Sequence, residues 1–182
     1  MRTPRARGFT LVELLVVMAV VVILVVTATP SVSDWLQNAK TRSVAESVQN
    51  GLRFAQTEAA RLSRLTTFTA TSTGWTVDYI AVVNAADAFP HPLQTSPAGS
   101  LQGATIAAGS GTPAVIQFNS FGRVFGAATT AGPFTPLAAD ATVDVTNPNG
   151  GSRKLRIVLS QGGKTRMCDP DKTFSSTTPD GC

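Results

Sequence analysis

The chain has 182 residues, enough for one globular domain and an additional segment. Only 14% of its residues are charged, against about 25% in an average soluble protein, which points away from a charge-rich cytosolic helical protein and fits an exported one. Arg2, Arg5 and Arg7 account for most of the formal net charge of +4. Global charge therefore predicts little about partners, and only local clusters of basic residues carry that information.

The first thirty residues combine a short basic stretch with an apolar run from Phe9 to about Thr29. At a rise of about 1.5 Å per residue, about twenty residues cover the ~30 Å hydrocarbon core of a bilayer. The N-terminal arginines keep that side cytoplasmic and place the body of the chain outside. A cleaved secretory signal ending at residues 26–28 is the alternative, but the run exceeds the usual core of about 7 to 15 residues and contains a carboxylate, Glu13.

A second helical segment follows this apolar run. Apolar residues recur at three- and four-residue steps, which is typical of a helix with one packed face; they are Val44, Val48, Leu52, Ala55, Ala59 and Leu62. Pro30 removes one helical hydrogen bond and is expected to kink the helix without ending it. The sequence thus predicts one long helix from Phe9 to about Ser63, with a transmembrane half at residues 9–29 and an amphipathic half at residues 30–63.

From Leu65 onward the helical periodicity gives way to short runs with β-type composition, separated by Gly, Pro, Ser and Asn clusters. These runs span residues 65–71, 75–83, 104–108, 114–119, 122–126, 142–146 and 154–160. Residues 84–111 are expected to form a long surface loop with at most one short strand. The predicted fold class is α+β, with the long N-terminal helix packed on an antiparallel β-sheet domain of residues 64–182.

Residues 8–13 read Gly-Phe-Thr-Leu-Val-Glu. This string, behind a basic leader and followed by the apolar run and Pro30, resembles the N-terminus of type IV pilins and type II secretion pseudopilins. The resemblance implies a pilin-like fold, removal of leader residues 1–8 by a prepilin peptidase that cuts between Gly8 and Phe9, and N-methylation of Phe9. It also implies a single-pass protein of the bacterial inner membrane with a periplasmic domain.

The same resemblance implies a structural role in assembly. Such proteins join other pilin or pseudopilin subunits, with the help of an inner-membrane assembly platform, in a type IV pilus or a type II secretion pseudopilus. Glu13 is the assembly residue, because an ionised carboxylate at the centre of a bilayer costs at least about 2.5 kcal/mol unless it finds a partner. The implied partner is the free amino group of Phe9 on a neighbouring subunit. The alternative is a Glu13 that stays hydrated near the interface.

Residues 153–170 resemble the C-terminal region of the GspH/FimT subgroup of minor pilins and pseudopilins. Residues 154–160 alternate between an apolar and a basic face. A three-residue turn at residues 161–163, with one glycine in the left-handed conformation, keeps the basic side chains of both strands on one face and places Val158 opposite Arg166. A two-residue turn would mix the two faces.

The resulting basic patch consists of Arg153, Lys154, Arg156, Lys164 and Arg166. In FimT-like minor pilins of naturally transformable bacteria, a Gly-Arg-x-Arg motif near the C-terminus is associated with DNA binding. Residues 163–166 match it with a lysine in place of the first arginine, which keeps the charge but loses the bidentate fork. DNA uptake is therefore an alternative function. An ordinary solvated strand face is the competing interpretation, because the patch contains no aromatic residue that could stack on bases.

Two cysteines, Cys168 and Cys182, lie close together at the end of an exported chain and are expected to form a disulfide. Closing a loop of about 15 residues contributes roughly 3 kcal/mol in the chain-entropy model. The loop contains Asp169, Asp171 and Asp180, but three scattered carboxylates make a poor calcium site. A solvated loop is the preferred interpretation.

Other signs of chemistry are weak. His91, the single histidine, lies in a proline-rich stretch and is expected on the surface. Two cysteines and one distant histidine do not match a zinc site. No nucleophile motif, phosphate loop or dinucleotide fingerprint occurs in its required context. The sequence therefore predicts a structural subunit without a cofactor, metal site or enzymatic activity.

Overall fold

A computed structural model of the chain describes residues 8–79 and 91–182, and only the backbone of residues 28–30. Its first element is α1, a helix of 52 residues at Leu11–Leu62. At about 1.5 Å per residue the helix is roughly 78 Å long, so a domain of this size can cover only part of it. The helix continues through residue 30, as predicted, while the kink expected at Pro30 stays a prediction.

Both ends of α1 carry caps. The hydroxyl of Thr10 accepts a hydrogen bond of 3.2 Å from the backbone N–H of Glu13, which satisfies one of the donors that a first helical turn leaves unpaired. At the other end Ser63 adopts the left-handed conformation, with φ of 50°, and its N–H donates to carbonyls of the last turn. The predicted limits at Phe9 and Ser63 therefore lie within two residues of the observed ones.

Ten strands follow α1 in the described part of the chain: β1 Thr66–Thr71, β2 Gly74–Tyr79, β3 Gln94–Thr95, β4 Thr105–Ala108, β5 Val115–Phe118, β6 Val124–Ala127, β7 Thr135–Pro136, β8 Ala141–Thr146, β9 Leu155–Leu159 and β10 Thr165–Cys168. They form two antiparallel sheets, one in the order β3-β2-β1-β5-β6-β7 and one in the order β10-β9-β8-β4. Each run that the sequence predicts as a strand overlaps one of them, residues 80–83 of the second run lying outside the described residues, and the predicted α+β architecture is confirmed.

The expectation of at most one short strand within residues 84–111 is wrong. This stretch contains both β4 and β3, and β3 pairs with the edge of β2 through Thr76–Thr95 and Val77–Gln94. Neither β3 nor β7 could be predicted, because two residues are too few to show a period of alternation. Residues 84–90 of the predicted loop lie outside the described residues.

The C-terminal half of α1 packs into the core between the two sheets. Its buried apolar residues are Val44, Ala45, Val48, Leu52, Ala55 and Ala59, which confirms the predicted apolar face except for Leu62, which is only half-buried. Phe68 and Phe118 pack against this face from the six-stranded sheet, and Ile157 and Leu159 from the four-stranded sheet. Among the described residues of α1, burial begins at Thr41, so the first half of the helix extends away from the core.

Candidate assembly helix and basic surfaces

The start of the chain presents the predicted cleavage junction in an open conformation. Residues 8–10 precede the helix, and a side chain at Gly8 would meet no atom of the described residues within 4 Å. The side chain of Phe9 is 82% exposed. The described side of the junction is therefore exposed, while leader residues 1–7 lie outside the described residues, and cleavage stays a prediction.

Glu13 lies in the first turn of α1 with an exposed side chain. Among residues 8–79 and 91–182, its carboxylate forms no hydrogen bond and no ion pair, while its backbone N–H is bound by Thr10. The spacing Thr-x-x-Glu is that of a capping box, a local signal that our interpretation of Glu13 as an assembly residue overlooked. The cap occupies the backbone of Glu13 and leaves the charge available to another molecule.

The apolar half of α1 has the length and composition of a membrane span, and none of it is buried against the domain. Its large apolar side chains from Leu11 to Val26 are each between 46% and 75% exposed. Such a continuous apolar surface is incompatible with water and needs lipid or protein to cover it. The sequence and structure together therefore indicate a membrane-anchored protein with its folded domain outside the bilayer.

The hairpin of β9 and β10 has the predicted register. Val158 lies opposite Arg166, the N–H of Ser160 donates to the carbonyl of Lys164 over 2.9 Å, and Gly163 takes the left-handed position with φ of 85°. The alternating faces are also as predicted, because the odd-numbered residues of β9 are buried and the even-numbered ones are half-buried. The basic side chains thus share the solvent face of the four-stranded sheet.

That face is less positive than the sequence indicates. Arg156 forms a bidentate pair with Asp144 on β8, with distances of 2.6 Å and 2.9 Å, and this hydrogen bonding raises the pKa of the guanidinium. Lys154 pairs with Asp171 of the disulfide loop at 3.3 Å. Two of the five patch residues therefore already carry a carboxylate partner that is distant in sequence.

The other three patch residues differ in their surroundings. Arg166 donates to the carbonyl of Gly181 over 3.2 Å and lies 5.8 Å from the ring centroid of Phe174. The backbone of Arg153 donates to Asn38 on α1. Lys164 is exposed at the turn. The five residues therefore differ in how far their charge is already paired, and the DNA-binding role of the patch stays a prediction.

A different basic surface, the turn surface, forms where two turns meet. Gly163 of the β9–β10 turn packs against Gly122 of the β5–β6 turn so closely that a side chain at Gly163 would lie 2.5 Å from the Gly122 carbonyl oxygen. The turn surface comprises Phe121, Arg123, Lys164 and Arg53, the last of which hydrogen-bonds Thr165 over 3.3 Å. Phe121 is 88% exposed, so the β5–β6 turn that packs on the β9–β10 turn carries an aromatic ring, which the predicted patch lacks.

The C-terminal loop is closed by the predicted disulfide between Cys168 and Cys182. Its carboxylates face cations: Lys172 donates to Asp180 and lies 3.7 Å from Asp169. The hydrogen bond between Lys172 and Asp180 raises the pKa of the lysine and lowers the pKa of the carboxyl. These carboxylates therefore serve to hold the loop together by ion pairing.

His91 is exposed, as predicted, and has specific neighbours. Its Nδ1 lies 2.9 Å from an oxygen of Asp78, and its ring lies 4.1 Å from that of Tyr79. In the described part of the chain no grouping of histidine, cysteine and acidic residues has the arrangement of a metal site.

Comparison with known proteins covers both halves of the chain. The model of the prokaryotic N-terminal methylation motif matches residues 3–29, and that of the type II transport protein GspH matches residues 44–163. No curated protein sequence matches the chain.

Solved structures share the fold at low sequence identity. The type IV minor pilin FimU of Pseudomonas aeruginosa PAO1 has a TM-score of 0.54 at 16% identity over 77% of this chain and 99% of that one. A second crystal form of FimU scores 0.50 at 16% identity, over 73% and 99%. The minor pseudopilin EpsH of the type 2 secretion system of Vibrio cholerae scores 0.49 at 14% identity, over 71% and 99%. The match of the GspH model spans more than half of the sequence, and the chain therefore belongs to the GspH family of pilin-like type II transport proteins.

Proposed function

We propose that this protein is a minor pilin or pseudopilin, a structural subunit that joins a type IV pilus or a type II secretion pseudopilus through the first half of α1. One observation carries the proposal: an apolar helix that its own domain does not cover has in its first turn an exposed carboxylate that no described residue of the chain pairs with. The helix needs an apolar environment and Glu13 needs a cation, and a second copy of such a helix supplies both. FimU, which shares the fold, is itself a minor pilin.

On this proposal, lipid covers the apolar half of α1 before assembly, and the helices of neighbouring subunits cover it afterwards. Cleavage between Gly8 and Phe9 by a prepilin peptidase creates a new amino group on Phe9, two residues before α1 begins at Leu11. That amino group, methylated at Phe9, is the cation that pairs with Glu13 of an adjacent subunit. The inner-membrane assembly platform then extracts the paired subunits from the bilayer.

The test is to replace Glu13 while following membrane insertion and assembly separately. Glu13→Leu and Glu13→Gln should both remain in the inner-membrane fraction but be strongly depleted from sheared pili or pseudopili, because neither side chain carries a charge. Thr10→Ala is the matched control, since it removes the cap and leaves the carboxylate. Normal co-purification of both Glu13 variants with the filament would refute the proposed role.

A second candidate function is binding of single-stranded nucleic acid by the turn surface. The exposed ring of Phe121 on the β5–β6 turn offers a stacking platform, and Arg123, Lys164 and Arg53 provide positive charge at the two packed turns. Residues 119–123 and 160–166 include no acidic residue. Stacking platforms surrounded by basic residues are the usual design of sites that bind single strands without sequence preference.

A gel-shift titration of residues 31–182 with single-stranded DNA tests this second function. Phe121→Ala should weaken binding by about 1–3 kcal/mol if a base stacks on the ring. Lys154→Ala is the control, because that lysine is paired with Asp171 and lies off the turn surface. An absence of retardation at low salt rules out direct DNA binding, and equal losses in the two variants would rule out the stacking site.

A further inference from the structure

Three apolar residues continue the surface of the membrane span beyond residue 30. Val32, Trp35 and Leu36 are 61%, 70% and 47% exposed. They are spaced at i, i+3 and i+4, so they lie next to each other on one side of α1. We call them the apolar stripe. A tryptophan that is mostly exposed on a helix needs a partner that the described part of this chain does not provide.

The apolar stripe faces away from the folded domain. At about 100° per residue, its centre lies nearly opposite the row of buried residues that begins with Thr41 and Val44. The domain contacts the other side of the helix at the same level: Asn147 donates to the side chain of Gln37 over 2.9 Å. No rearrangement of side chains can therefore bring the domain onto the stripe.

The large apolar side chains on this side of α1 end at Leu36. The next residue on the same side is the small, exposed Ala39, and it is followed by Ser43, Glu46 and Asn50, which are polar and exposed. A stripe meant for packing against another helix along the domain would continue through these positions. Because the apolar stripe is limited to about one helical turn, the surroundings that cover it extend only about 5 Å along the helix axis.

The position of Trp35 along the helix identifies that environment. Twenty residues from Leu11 cover the hydrocarbon core of about 30 Å, and Trp35 lies about 7.5 Å beyond its end. The headgroup layer occupies roughly the next 5–8 Å on each side of the core. Tryptophan is enriched in this layer, because its ring is apolar and its N–H is a hydrogen-bond donor.

We propose that the apolar stripe is seated in the headgroup layer of the outer leaflet and that Trp35 fixes the depth of α1 in the membrane before assembly. This inference rests on the membrane anchoring in the proposed function. Gln37 lies only two residues beyond Trp35, so the loop around Asn147 that it contacts rests just above the headgroups. The Trp35 ring on one side of α1 and the domain on the other thus set the depth of the subunit in the membrane before assembly.

The fluorescence of the full chain in lipid vesicles tests this proposal. The chain contains two tryptophans, and Trp75 is 6% exposed and bonded to Ser47 over 3.1 Å, so it gives a protected background signal. The difference between the wild-type chain and Trp35→Phe isolates Trp35. Phosphatidylcholine brominated near the headgroup end of the acyl chain is compared with lipid brominated near the terminal methyl, and flotation reports insertion.

The proposal predicts that the shallow bromine quenches Trp35 about twofold more than the deep one, according to depth in the bilayer, at all protein-to-lipid ratios. An inserted chain whose Trp35 is quenched by iodide and by neither bromolipid would overturn the proposal while leaving the anchor intact. Bromolipid quenching that disappears as the protein-to-lipid ratio rises would assign the stripe to a second copy and equally overturn it. A chain that fails to float would refute the anchor and the stripe together.

Discussion

Gly51 allows a sharp test of how α1 packs on the sheets. Alanine is favoured over glycine inside a helix by about 1 kcal/mol, so the helix alone would be stabilised by Gly51→Ala. The new methyl group, however, would lie 2.9 Å from Cε2 of Phe68 and 3.0 Å from ring carbons of Trp75. These rings stack with centroids 5.9 Å apart and are 1% and 6% exposed, so neither can move into solvent.

Overpacking of a core costs about 1–3 kcal/mol, which exceeds the helical gain. We therefore expect Gly51→Ala to lower the free energy of unfolding by about 1 kcal/mol, or Tm by about 2–4 °C in a domain of this size. Urea unfolding of residues 31–182 measures this change in the free energy of unfolding. The fragment keeps the domain core, because the first buried residue among the described residues of α1 is Thr41. Asn50→Ala is the control: Asn50 is exposed, so alanine there should raise the free energy of unfolding by a few tenths of a kcal/mol. A Gly51→Ala variant as stable as the wild type would refute the packing argument.

Three further predictions concern the C-terminal part of the domain. Replacing Cys168 and Cys182 together by serine should lower the free energy of unfolding by about 3 kcal/mol, and a reducing agent should lower that of the wild type equally. Asp144→Ala should lower the free energy of unfolding in urea by about 1 kcal/mol, because the partly exposed Arg156 on β9 loses the carboxylate that binds it through two hydrogen bonds. The lowered pKa of Asp180 implies stabilisation that is present above the unfolded pKa near 3.9 and lost as pH falls through the lower folded value. An NMR titration should show Asp180 returning to an ordinary pKa in Lys172→Met.

The elements that could be predicted from the sequence are those in which apolar residues recur at a regular spacing. The apolar steps from Val44 to Ala59 define a helix face because a helix repeats every 3.6 residues. The hairpin of β9 and β10 could be predicted down to its register, since only a three-residue turn keeps Leu155 and Ile157 on the same side as Met167. In both cases neighbours in space are neighbours in sequence, and local rules are sufficient.

The composition of the basic face could not be predicted for the opposite reason. Asp144 meets Arg156 because β8 and β9 pair directly, but a connection of eight residues between them leaves that register open. Gly122 approaches Gly163 only because β6 and the β9–β10 turn meet across two different sheets, where Val124 donates to Gln161 over 3.3 Å. The order of residues along the chain thus predicts which charges and rings the domain contains, but not which of them become neighbours.

The capping box sharpens the argument that Glu13 has a partner outside its own chain. The hydroxyl of Thr10 already binds the Glu13 N–H, so the remaining benefit of the carboxylate within the helix is its interaction with the helix dipole, about 0.3–1 kcal/mol. Once apolar helices pack around it, an unpaired carboxylate costs several kcal/mol. The dipole cannot offset that cost, whereas a cation on a neighbouring helix can. Because Glu13→Gln retains the cap and removes only the charge, and the dipole contributes at most about 1 kcal/mol, the loss of pairing accounts for most of its assembly defect.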